Sequence, residues 1–399
     1  MKKLLIVSFD LEVGGVERSL ISLLNELKDA PYEIDLFLYR HTGEFMEFIP
    51  KHVNLLPEAQ EYATFRKSIK EIFLERNFKF GQVRLAAKWN ASMQKIYLSL
   101  NEPGYRQMQE MWLKSMRYLP DIQGDYDLAV SYLWPHYTVL NKVKAHKKAA
   151  WIHTDFSTVE VNLKRDKEMW QKFNSIVAVS ESCKEAFVNV HPALKEKIIV
   201  IENMASPHSI ELEAGKEISN EMDKGKFKII TVARLSYAKG IDLAVEAAGI
   251  LKSKGRDDFT WYIVGYGGEL DKLKKLVKDN DLEDHIIFLG KKINPYPFLK
   301  QAHLYVQPSR YEGKAVTVTE AQIMKLPVLI TNYATAASQV HHGINGFITE
   351  LSPKGIAKGI MLLKDNETLR TQLIKGCAEY DFSSAKHLDR FHSLVRGQI

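Results

Sequence analysis

Short apolar segments alternate with helical patterns twice along the chain, and this alternation constrains the fold more than any other feature. The run Lys3–Phe9 is apolar without polar alternation, as in a parallel strand that is buried on both faces. Tyr32–Tyr39 is the next predicted strand. Between them, after the glycine pair Gly14-Gly15, apolar residues recur at the spacing of a helix stripe, at Val16, Leu20, Leu23, Leu24 and Leu27. This order predicts a βαβ unit.

Further strands extend the first series, and a polar stretch then separates it from a second series. Strands of the first series are predicted at Leu128–Tyr132, Lys148–Ile152, Ser175–Val179 and Ile198–Ile201. The polar stretch Met204–Lys226 contains proline and glycine and is interpreted as an interdomain linker. Strands of the second series are predicted at Phe227–Val232, Thr260–Val264, Ile286–Leu289, Leu304–Gln307, Pro327–Thr331 and Gly346–Ile348.

A chain of 399 residues is too long for one ordinary core and suits two domains. We therefore predict an α/β fold of two Rossmann-like, doubly wound domains, at residues 1–205 and 206–380, with a helical tail at 381–399. A helical segment at 62–120 interrupts the first domain. Sheets of this kind bind ligands beyond the carboxyl ends of their strands.

Composition narrows the class of protein. Hydrophobic residues make up 45% and charged residues 26% of the chain, as in ordinary globular proteins. The two cysteines, Cys183 and Cys377, are far apart, which argues against a disulfide framework or a cysteine metal site. The first apolar run is short and is followed at once by Asp10 and Glu12, unlike a signal peptide. With no uncharged apolar run near ~18 residues, a cytoplasmic protein is expected.

Positive charge is concentrated in the segment 62–120. It contains eleven Lys or Arg and four Asp or Glu, a net charge of +7, whereas the whole chain carries +6. Ten aromatic residues accompany these charges, among them Phe78, Trp89 and Trp112. This composition favours an anionic membrane surface or a lipid-linked acceptor over nucleic acid as a partner. A helical insertion with a solvated basic face and buried aromatic residues stays open as the alternative.

Two glutamates eight residues apart form the most specific pattern. Glu312 lies in a loop after the strand Leu304–Gln307, and Glu320 lies in the first turns of the following helical pattern. Small residues between them would let main-chain amides approach an anion at the helix start, where the helix dipole favours a phosphate. A carboxylate in those turns can accept hydrogen bonds from a ribose. Buried carboxylates beside a diphosphate would also need cations nearby.

Two cations follow the first strand of the second series. Arg234 and Lys239 come after Phe227–Val232, at the carboxyl edge where a ligand would bind. Arginine grips two phosphate oxygens in a fork, whereas lysine acts as a mobile point charge. On this pair alone, a surface loop with two solvated cations is the competing interpretation.

Three other patterns are weaker indications of a functional site. The turn that begins at Gly265 and Gly267 lacks the third glycine of a dinucleotide fingerprint, which argues against a nicotinamide site. Asp279-Asn-Asp281 has the D-x-D spacing but is interpreted as a solvated turn, and His341-His342 has no ligand partner at metal spacing. No metal site is therefore expected. His153, which ends a predicted strand, would by itself be read as a satisfied polar residue.

Taken together, these residues resemble the retaining glycosyltransferases of the GT-B superfamily, in the group called family 4, which includes bacterial polysaccharide and capsule enzymes. The resemblance covers most of both domains. It rests on GGVERSL near the N-terminus, on His153 in WIHTD, on Arg234 and Lys239 in ARLSYAKG, and on the two glutamates. It implies two Rossmann-like domains that face each other across a cleft, and a tail helix that crosses back to the first domain.

The resemblance also implies roles for single residues. Glu320 would bind the ribose of the donor, Glu312 would lie beside the donor sugar, and His153 would face the anomeric carbon. The donor diphosphate would be held by Gly14, Gly15, Arg234, Lys239 and the amides of Ala315 and Val316. The nucleotide pocket would include Gly265, Gly267, Lys291 and Ile293. The sequence departs from the family at Lys314-Ala315, where Phe-Gly is common, and this puts the identity of the sugar in doubt.

The function that follows is transfer of a sugar, with retention, from a nucleotide-diphosphate donor to a glycan or polyprenyl-linked acceptor. UDP is preferred to GDP from family frequency, and the nucleotide sugar is a substrate, so no cofactor or metal is expected. The protein would be cytoplasmic, with peripheral association at the inner face of the membrane. A nucleotide-sugar epimerase of the same architecture and a non-catalytic sugar-nucleotide-binding subunit are the alternatives.

Overall fold

The structure is a computed structural model and describes residues 1–98, 104–215, 221–222, 227–382 and 384–399. Strands and helices alternate along most of it. The strands are β1 (Lys2–Ser8), β2 (Tyr32–Leu38), β3 (Val53–Leu55), β4 (Ile122–Ser131), β5 (Val143–Ile152), β6 (Ser175–Ala178), β7 (Ile198–Val200), β8 (Phe227–Val232), β9 (Phe259–Val264), β10 (Ile286–Gly290), β11 (Leu304–Gln307), β12 (Val328–Thr331) and β13 (Phe347–Thr349).

The α-helices connect these strands. They are α1 (Gly15–Glu26), α2 (Gln60–Ala63), α3 (Ile69–Leu74), α4 (Phe78–Leu98), α5 (Gly104–Ser115), α6 (Tyr137–Lys142), α7 (Leu163–Trp170), α8 (Glu181–Val190), α9 (Pro207–Gly215), α10 (Ile241–Ser253), α11 (Leu270–Asp279), α12 (Tyr296–Gln301), α13 (Val316–Ile323), α14 (Pro353–Asp365), α15 (Glu367–Glu379) and α16 (Ala385–Arg396).

The strands form two sheets in which every pairing is parallel. The first sheet has seven strands in the order β3-β2-β1-β4-β5-β6-β7, and the second has six in the order β10-β9-β8-β11-β12-β13. The strand order reverses beside β1 in one sheet and beside β8 in the other, as in doubly wound folds. Both sheets therefore place their ligand-binding edge at the carboxyl ends of the strands.

The chain divides into two compact units. The first contains Met1–Glu12, Leu23–Glu202 and His387–Ile399, and the second contains Val13–Ser22 and Asn203–Lys386. The boundary was predicted after residue 205, and the grouping of Val13–Ser22 with the second unit was not anticipated. That segment is the loop and first turns of α1, and it carries the whole GGVERSL motif.

Burial explains why unbroken apolar runs form these strands. Ile229 and Ile230 are consecutive in β8, and both are buried, but they belong to apolar clusters on opposite faces of the sheet. Trp261 and Tyr262 in β9 divide in the same way. Because helices cover both faces, neither face of these strands can be polar.

The interpretation of Met204–Lys226 as a linker is wrong in its first half. Helix α9 occupies Pro207–Gly215, and its Ile210 and Ala214 are buried in the core of the second unit. The polar composition of this stretch obscured the helix, because only Ile210 and Ala214, four residues apart, are apolar and buried. Two such positions are enough for a short helix to pack against the core. The rest of the predicted linker lies largely outside the described residues. Strand β3 was also missed because three residues show no periodicity.

The segment 62–120 is helical, as predicted, apart from residues 99–103, which lie outside the described part of the chain. Its aromatic residues divide into two sets. Tyr62, Phe65, Phe80 and Trp112 are buried, and Phe65 stacks on Trp112 with ring centroids 3.7 Å apart. Others are exposed. Among the helices that the structure describes, none has the length and apolar character needed to cross a bilayer.

Candidate functional site

The two glutamates lie where the second sheet presents its carboxyl edge. Strand β11 ends at Gln307, Glu312 lies in the loop that follows, and Glu320 lies in helix α13. Glu312 is 7% exposed and Glu320 is 1% exposed. Burying two carboxylates costs free energy unless cations and hydrogen-bond donors surround them. The contacts of each carboxylate show which residues do this.

Glu312 is held by one cation and two neutral donors. The Lys239 ammonium contacts both carboxylate oxygens, at 2.7 and 2.6 Å. The Gln307 amide and the Ser309 hydroxyl donate to Oε1 at 3.0 and 2.7 Å. Lys239, predicted as a diphosphate ligand, therefore lies directly against the carboxylate predicted to face the donor sugar. Gln307 and Ser309 were not anticipated, although both lie within five residues of Glu312.

Glu320 has one satisfied oxygen and one unsatisfied oxygen. Tyr296 donates its hydroxyl to Oε1 at 2.9 Å, and Arg18 Nε lies 3.3 Å from the same atom. Oε2 is buried and has no hydrogen-bond partner among the described residues. An unsatisfied carboxylate oxygen inside a protein is costly, and a pair of ligand hydroxyls would remove that cost. This observation fits the predicted ribose role.

Arg18 and Tyr296 form one hydrogen-bonded unit with Glu320. Arg18 donates to the Tyr296 hydroxyl at 2.7 Å and to the main-chain oxygen of Ile293 at 3.1 Å. Burial alone would lower the pKa of Arg18, but the charge of Glu320 raises it. Burial, and then the same carboxylate, raise the pKa of Tyr296 far above its ordinary value, so the phenol stays protonated and donates. Arg18 thus balances the buried charge of Glu320.

Sequence analysis assigned roles to the glycines of GGVERSL but not to the charged pair that follows them. Glu17 and Arg18 are both in the part of α1 that groups with the second unit. Glu17 is buried, and its Oε1 lies 3.5 Å from Arg234. Two adjacent opposite charges at the start of an apolar helix stripe were the signal that could have revealed them. Arg234, with a 48% exposed side chain, retains open surface.

Gly14 and Gly15 lie beside Arg234 and the start of α13, respectively. A Cβ atom on Gly14 would overlap the Glu17 carboxylate and lie 2.7 Å from an Arg234 guanidinium nitrogen. A Cβ atom on Gly15 would meet only Val316, at an ordinary 3.8 Å. The structure therefore brings both predicted glycines to residues predicted to hold a diphosphate, but only at Gly14 would a side chain force its neighbours to move.

The two main-chain amides that were predicted to bind the diphosphate differ in whether they are free to do so. The Ala315 amide donates to Gln339 Oε1 at 3.1 Å, so it is already satisfied and would have to exchange that partner to bind a phosphate. Val316 is the first residue of α13, and the first amides of a helix have no partner inside it. The geometry thus favours Val316 over Ala315 as an anion-binding amide.

Gly265 and Gly267 have a structural reason to be glycine. A Cβ atom on Gly265 would overlap the carbonyl oxygen of Ala233, and one on Gly267 would overlap that of Leu235. These glycines let the β9–α11 turn pack against the loop that carries Arg234. Next to them, the Lys291 ammonium lies 4.5 Å from the centre of the Tyr266 ring. The Ile293 side chain is exposed, and its main-chain oxygen accepts from Arg18.

His153 lies at the carboxyl end of β5, in the first unit. Its ring centroid is 4.6 Å from that of Tyr132, and burial lowers its pKa to about 3. The Tyr132 main chain raises that pKa slightly, but no well-aligned hydrogen bond to either ring nitrogen forms among the described residues. His153 is therefore neutral at pH 7. Asp155, two residues farther along the chain, caps a turn by accepting hydrogen bonds from Ser157.

Comparison with known proteins places this geometry in a family. Residues 216–379 match the family described as Glycosyl transferases group 1. These residues match a group 1 glycosyltransferase domain, and the fold of the chain is GT-B. The chain superposes on a mutant of Staphylococcus aureus TarM in complex with fondaparinux, alpha-GlcNAc-glycerol and UDP. The TM-score is 0.70 at 18% identity, covering 99% of this chain and 100% of that one.

Two curated relatives are similar in sequence to part of this chain. The amylovoran biosynthesis glycosyltransferase AmsK of Erwinia amylovora is 33% identical over 33% of this chain and 34% of its own length. The capsular polysaccharide biosynthesis glycosyltransferase CapM of Staphylococcus aureus is 26% identical over 49% of this chain and 53% of its own. The chain thus matches about a third to a half of their length. The predicted family and the predicted fold class are confirmed.

Substitution of Gly14 and of the neighbouring Gly15 gives a matched pair of stability predictions. Gly14→Ala is expected to lower the free energy of unfolding by about 1–3 kcal/mol, because the new methyl group must displace Glu17 or Arg234. Gly15→Ala should change it by less than about 0.5 kcal/mol. Urea unfolding of both variants tests this, and equal losses would contradict the contacts described for Gly14.

Acid stability depends on buried neutral histidines. His136 is fully buried, and burial, then the nearby His153, lower its pKa to about 3 from the ordinary 6.5. The unfolded chain therefore binds this proton more readily than the folded chain. The contribution of His136 to the free energy of unfolding should be complete above pH 6.5 and should fall by about 1.4 kcal/mol per pH unit below it, until pH 3 is approached. His136→Gln should reduce that slope in urea unfolding; an unchanged slope would contradict it.

Within the described residues, no group of three or more His, Cys, Asp or Glu is arranged to hold a metal ion. Asp281 of the D-x-D pattern has a positive φ of 51° just beyond α11, and the charged run ends there in a turn. The prediction that the reaction needs no metal stays a prediction.

Proposed function

We propose that this GT-B chain transfers a sugar from a nucleotide-diphosphate donor to a hydroxyl of a glycan or polyprenyl-linked acceptor in cell-surface polysaccharide synthesis. One observation carries the proposal: Glu320 is buried, paired with Arg18 and Tyr296 through Oε1, and unsatisfied at Oε2. A nucleoside ribose offers adjacent hydroxyls that match such an oxygen. The nearby start of α13 offers a helix dipole for the attached diphosphate.

Lys239 and Arg234 supply the charge that the reaction needs. As the bond to the sugar breaks, negative charge develops on the departing diphosphate, and preorganised donors there lower the barrier. Lys239 already lies against Glu312 and can contact a diphosphate as well, because an ammonium has three N–H donors. In this proposal Glu312 orients the sugar and balances positive charge near the anomeric carbon, and the leaving group needs no metal.

UDP is the donor nucleotide that we propose first. The TarM mutant with the same fold was solved with UDP and alpha-GlcNAc-glycerol. That complex contains an alpha-linked GlcNAc compound, which supports the proposal of retention because ordinary nucleotide-sugar donors of GlcNAc are alpha-linked. The roles named for AmsK in amylovoran biosynthesis and for CapM in capsular polysaccharide biosynthesis support polysaccharide synthesis as the setting. We propose GDP as the alternative nucleotide.

His153 is proposed to contribute in its neutral form. A neutral imidazole has one N–H donor and one acceptor nitrogen, so it can accept from one sugar hydroxyl and donate to another. Its low pKa argues against a role as a general acid near pH 7, because the protonated form is scarce there. On this proposal His153 shapes the reacting face of the sugar and does not transfer a proton.

The test is a panel of UDP-, GDP-, ADP- and dTDP-sugars, read by thermal unfolding of the full chain. A ligand at 100 times its Kd stabilises a folded protein by about 2.7 kcal/mol. At least one UDP-sugar should therefore raise Tm by several degrees, and the free sugar should not. Absence of stabilisation by every member of the panel would contradict the proposed donor site.

A second assay separates transfer from the two alternatives. A glycosyltransferase releases nucleotide from the selected donor faster when acceptor glycan is present. An epimerase converts the donor sugar without an acceptor and regenerates the sugar nucleotide. A non-catalytic subunit binds the donor but leaves it unchanged. Acceptor-dependent release supports the proposal, and either of the other two outcomes replaces it.

A further inference from the structure

Helix α4 presents an apolar stripe to solvent. Phe78, Leu85, Trp89 and Met93 are 54%, 49%, 71% and 53% exposed. At about 100° per residue, these four positions fall within about 80° of one another around the helix axis. They share one face of the helix, which also contains the exposed Gln82, and we call the four apolar residues the α4 stripe. Single exposed apolar residues are normal on proteins, whereas an aligned set that includes tryptophan calls for an explanation.

The core of the first unit does not explain the α4 stripe, because α4 has a separate face for that purpose. Phe80, Val83, Ala87 and Ala91 are buried and lie on the opposite side of the helix. The helix is therefore apolar on two opposite faces, of which only one is used in packing. The end of α3 adds to the exposed apolar surface, because Leu74 is 73% exposed and Phe73 contacts Phe78 with ring centroids 6.1 Å apart.

Positive charge flanks the α4 stripe on both sides. Lys79 and Lys88 are exposed, and they lie about 100° to one side and about 80° to the other side of Phe78. In sequence, α4 contains four Lys or Arg and no Asp or Glu. Arg84 has a different role, since it donates to the main-chain oxygens of Thr64 and Lys67. The Lys79 ammonium lies 5.7 Å from the centre of the Tyr118 ring, and α4 itself has no carboxylate to balance either lysine. The two lysines therefore give the apolar surface a positive border.

We propose that the α4 stripe docks on an anionic lipid surface, with its apolar side chains in the interfacial layer and Lys79 and Lys88 at the headgroups. Helices that lie in a membrane interface have this combination of an apolar face with Trp, Phe or Leu and a basic border. Tryptophan favours the headgroup region in particular. Anionic headgroups would supply the negative charge that α4 itself lacks.

Charge argues against a second copy of the chain as the occupant. Two copies that paired through the same face would bring Lys79 and Lys88 of both copies together, and α4 has no carboxylate to offset them. This surface is independent of the proposed donor chemistry, because it lies on one helix of the first unit and needs no nucleotide. Vesicle binding and donor binding can therefore fail separately.

The test is co-sedimentation of the full chain with vesicles at low and high salt. One set contains phosphatidylcholine alone, and the other contains equimolar phosphatidylcholine and phosphatidylglycerol. We expect binding to the anionic vesicles at low salt and at least about 10-fold weaker partitioning at 1 M salt, where charges are screened beyond about 3 Å. Absence of binding to anionic vesicles at low salt would overturn the proposal.

Two variants of α4, each with a matched control, locate the contact. Lys79→Glu with Lys88→Glu, and Phe78→Ser with Trp89→Ser, should each reduce binding at least about 10-fold. Lys274→Glu with Lys275→Glu makes the same charge change on exposed positions of α11, and Ile344→Ser removes an exposed apolar side chain elsewhere. Both controls should bind as the unchanged chain does. Circular dichroism confirms that each variant is folded.

Equal binding by the α4 variants and their controls would overturn the assignment. So would a concentration-dependent dimer in sedimentation velocity that Trp89→Ser abolishes, because a second copy would then cover the α4 stripe.

Discussion

Replacement of Lys239 by alanine is expected to lower kcat by about 100-fold or more, the loss seen when one preorganised donor to a developing negative charge is removed. Lys239 lies 2.6 Å from Glu312 Oε2, so one ammonium supports both the carboxylate and the proposed leaving group. KM should change less than kcat, because the charge on the diphosphate grows mainly as the bond breaks. Initial rates of UDP release, measured with acceptor present, test this.

Stability must be separated from catalysis in this variant. Removal of the lysine leaves Glu312 buried with only neutral donors, and a broken buried ion pair costs about 3–5 kcal/mol. The double variant Lys239→Ala with Glu312→Gln removes the uncompensated charge and should recover much of the stability, but not the turnover. Lys274→Ala, on the exposed face of α11, is the control for loss of one lysine. Near-normal kcat in a folded Lys239→Ala protein would refute the diphosphate assignment.

Replacement of Glu320 by glutamine is expected to raise the Kd for UDP by about 10- to 100-fold, because a charge-assisted hydrogen bond contributes about 1.5–3 kcal/mol. Glutamine retains an oxygen that can accept from Tyr296 but loses the charge that Oε2 offers to a ribose. Isothermal titration of UDP into the variant tests this. Titration of pyrophosphate should show a much smaller change, since pyrophosphate has no ribose.

Arg18 provides the control for Glu320. In Glu320→Gln the guanidinium of Arg18 loses its charge partner, so part of any effect could come from misplacement of α1 and not from a lost ribose contact. The double variant Arg18→Met with Glu320→Gln removes both charges and should unfold at higher urea concentration than Glu320→Gln alone. Its Kd for UDP should stay raised. Recovery of UDP affinity in the double variant would show that Glu320 acts only by balancing Arg18.

Most of the fold could be predicted because its signals are local. The apolar runs that became β8 and β11 were predicted with their observed bounds, since a strand covered on both faces must be apolar throughout. The errors have the same origin. Strand β3 is too short for a period, and α9 has only two buried apolar positions in a polar stretch. Local pattern does not report which distant segment a short element packs against.

The candidate site was predicted in part for a related reason. Glu312 and Lys239 are in contact, and both follow strands of one sheet, so the rule that ligands bind at carboxyl strand ends was enough to group these two residues. The pairing of Arg18 with Glu320 spans about three quarters of the chain and could not follow from local spacing. The need for it was nevertheless foreseeable, because two buried carboxylates require cations and only Arg234 and Lys239 had been offered.

A crystal structure of the full chain with UDP tests the proposed donor site most directly. We expect the ribose hydroxyls within hydrogen-bond distance of Glu320 Oε2, and the diphosphate between Lys239, Arg234 and the start of α13. A nucleotide bound elsewhere, with Glu320 Oε2 still buried and unpartnered, would contradict it.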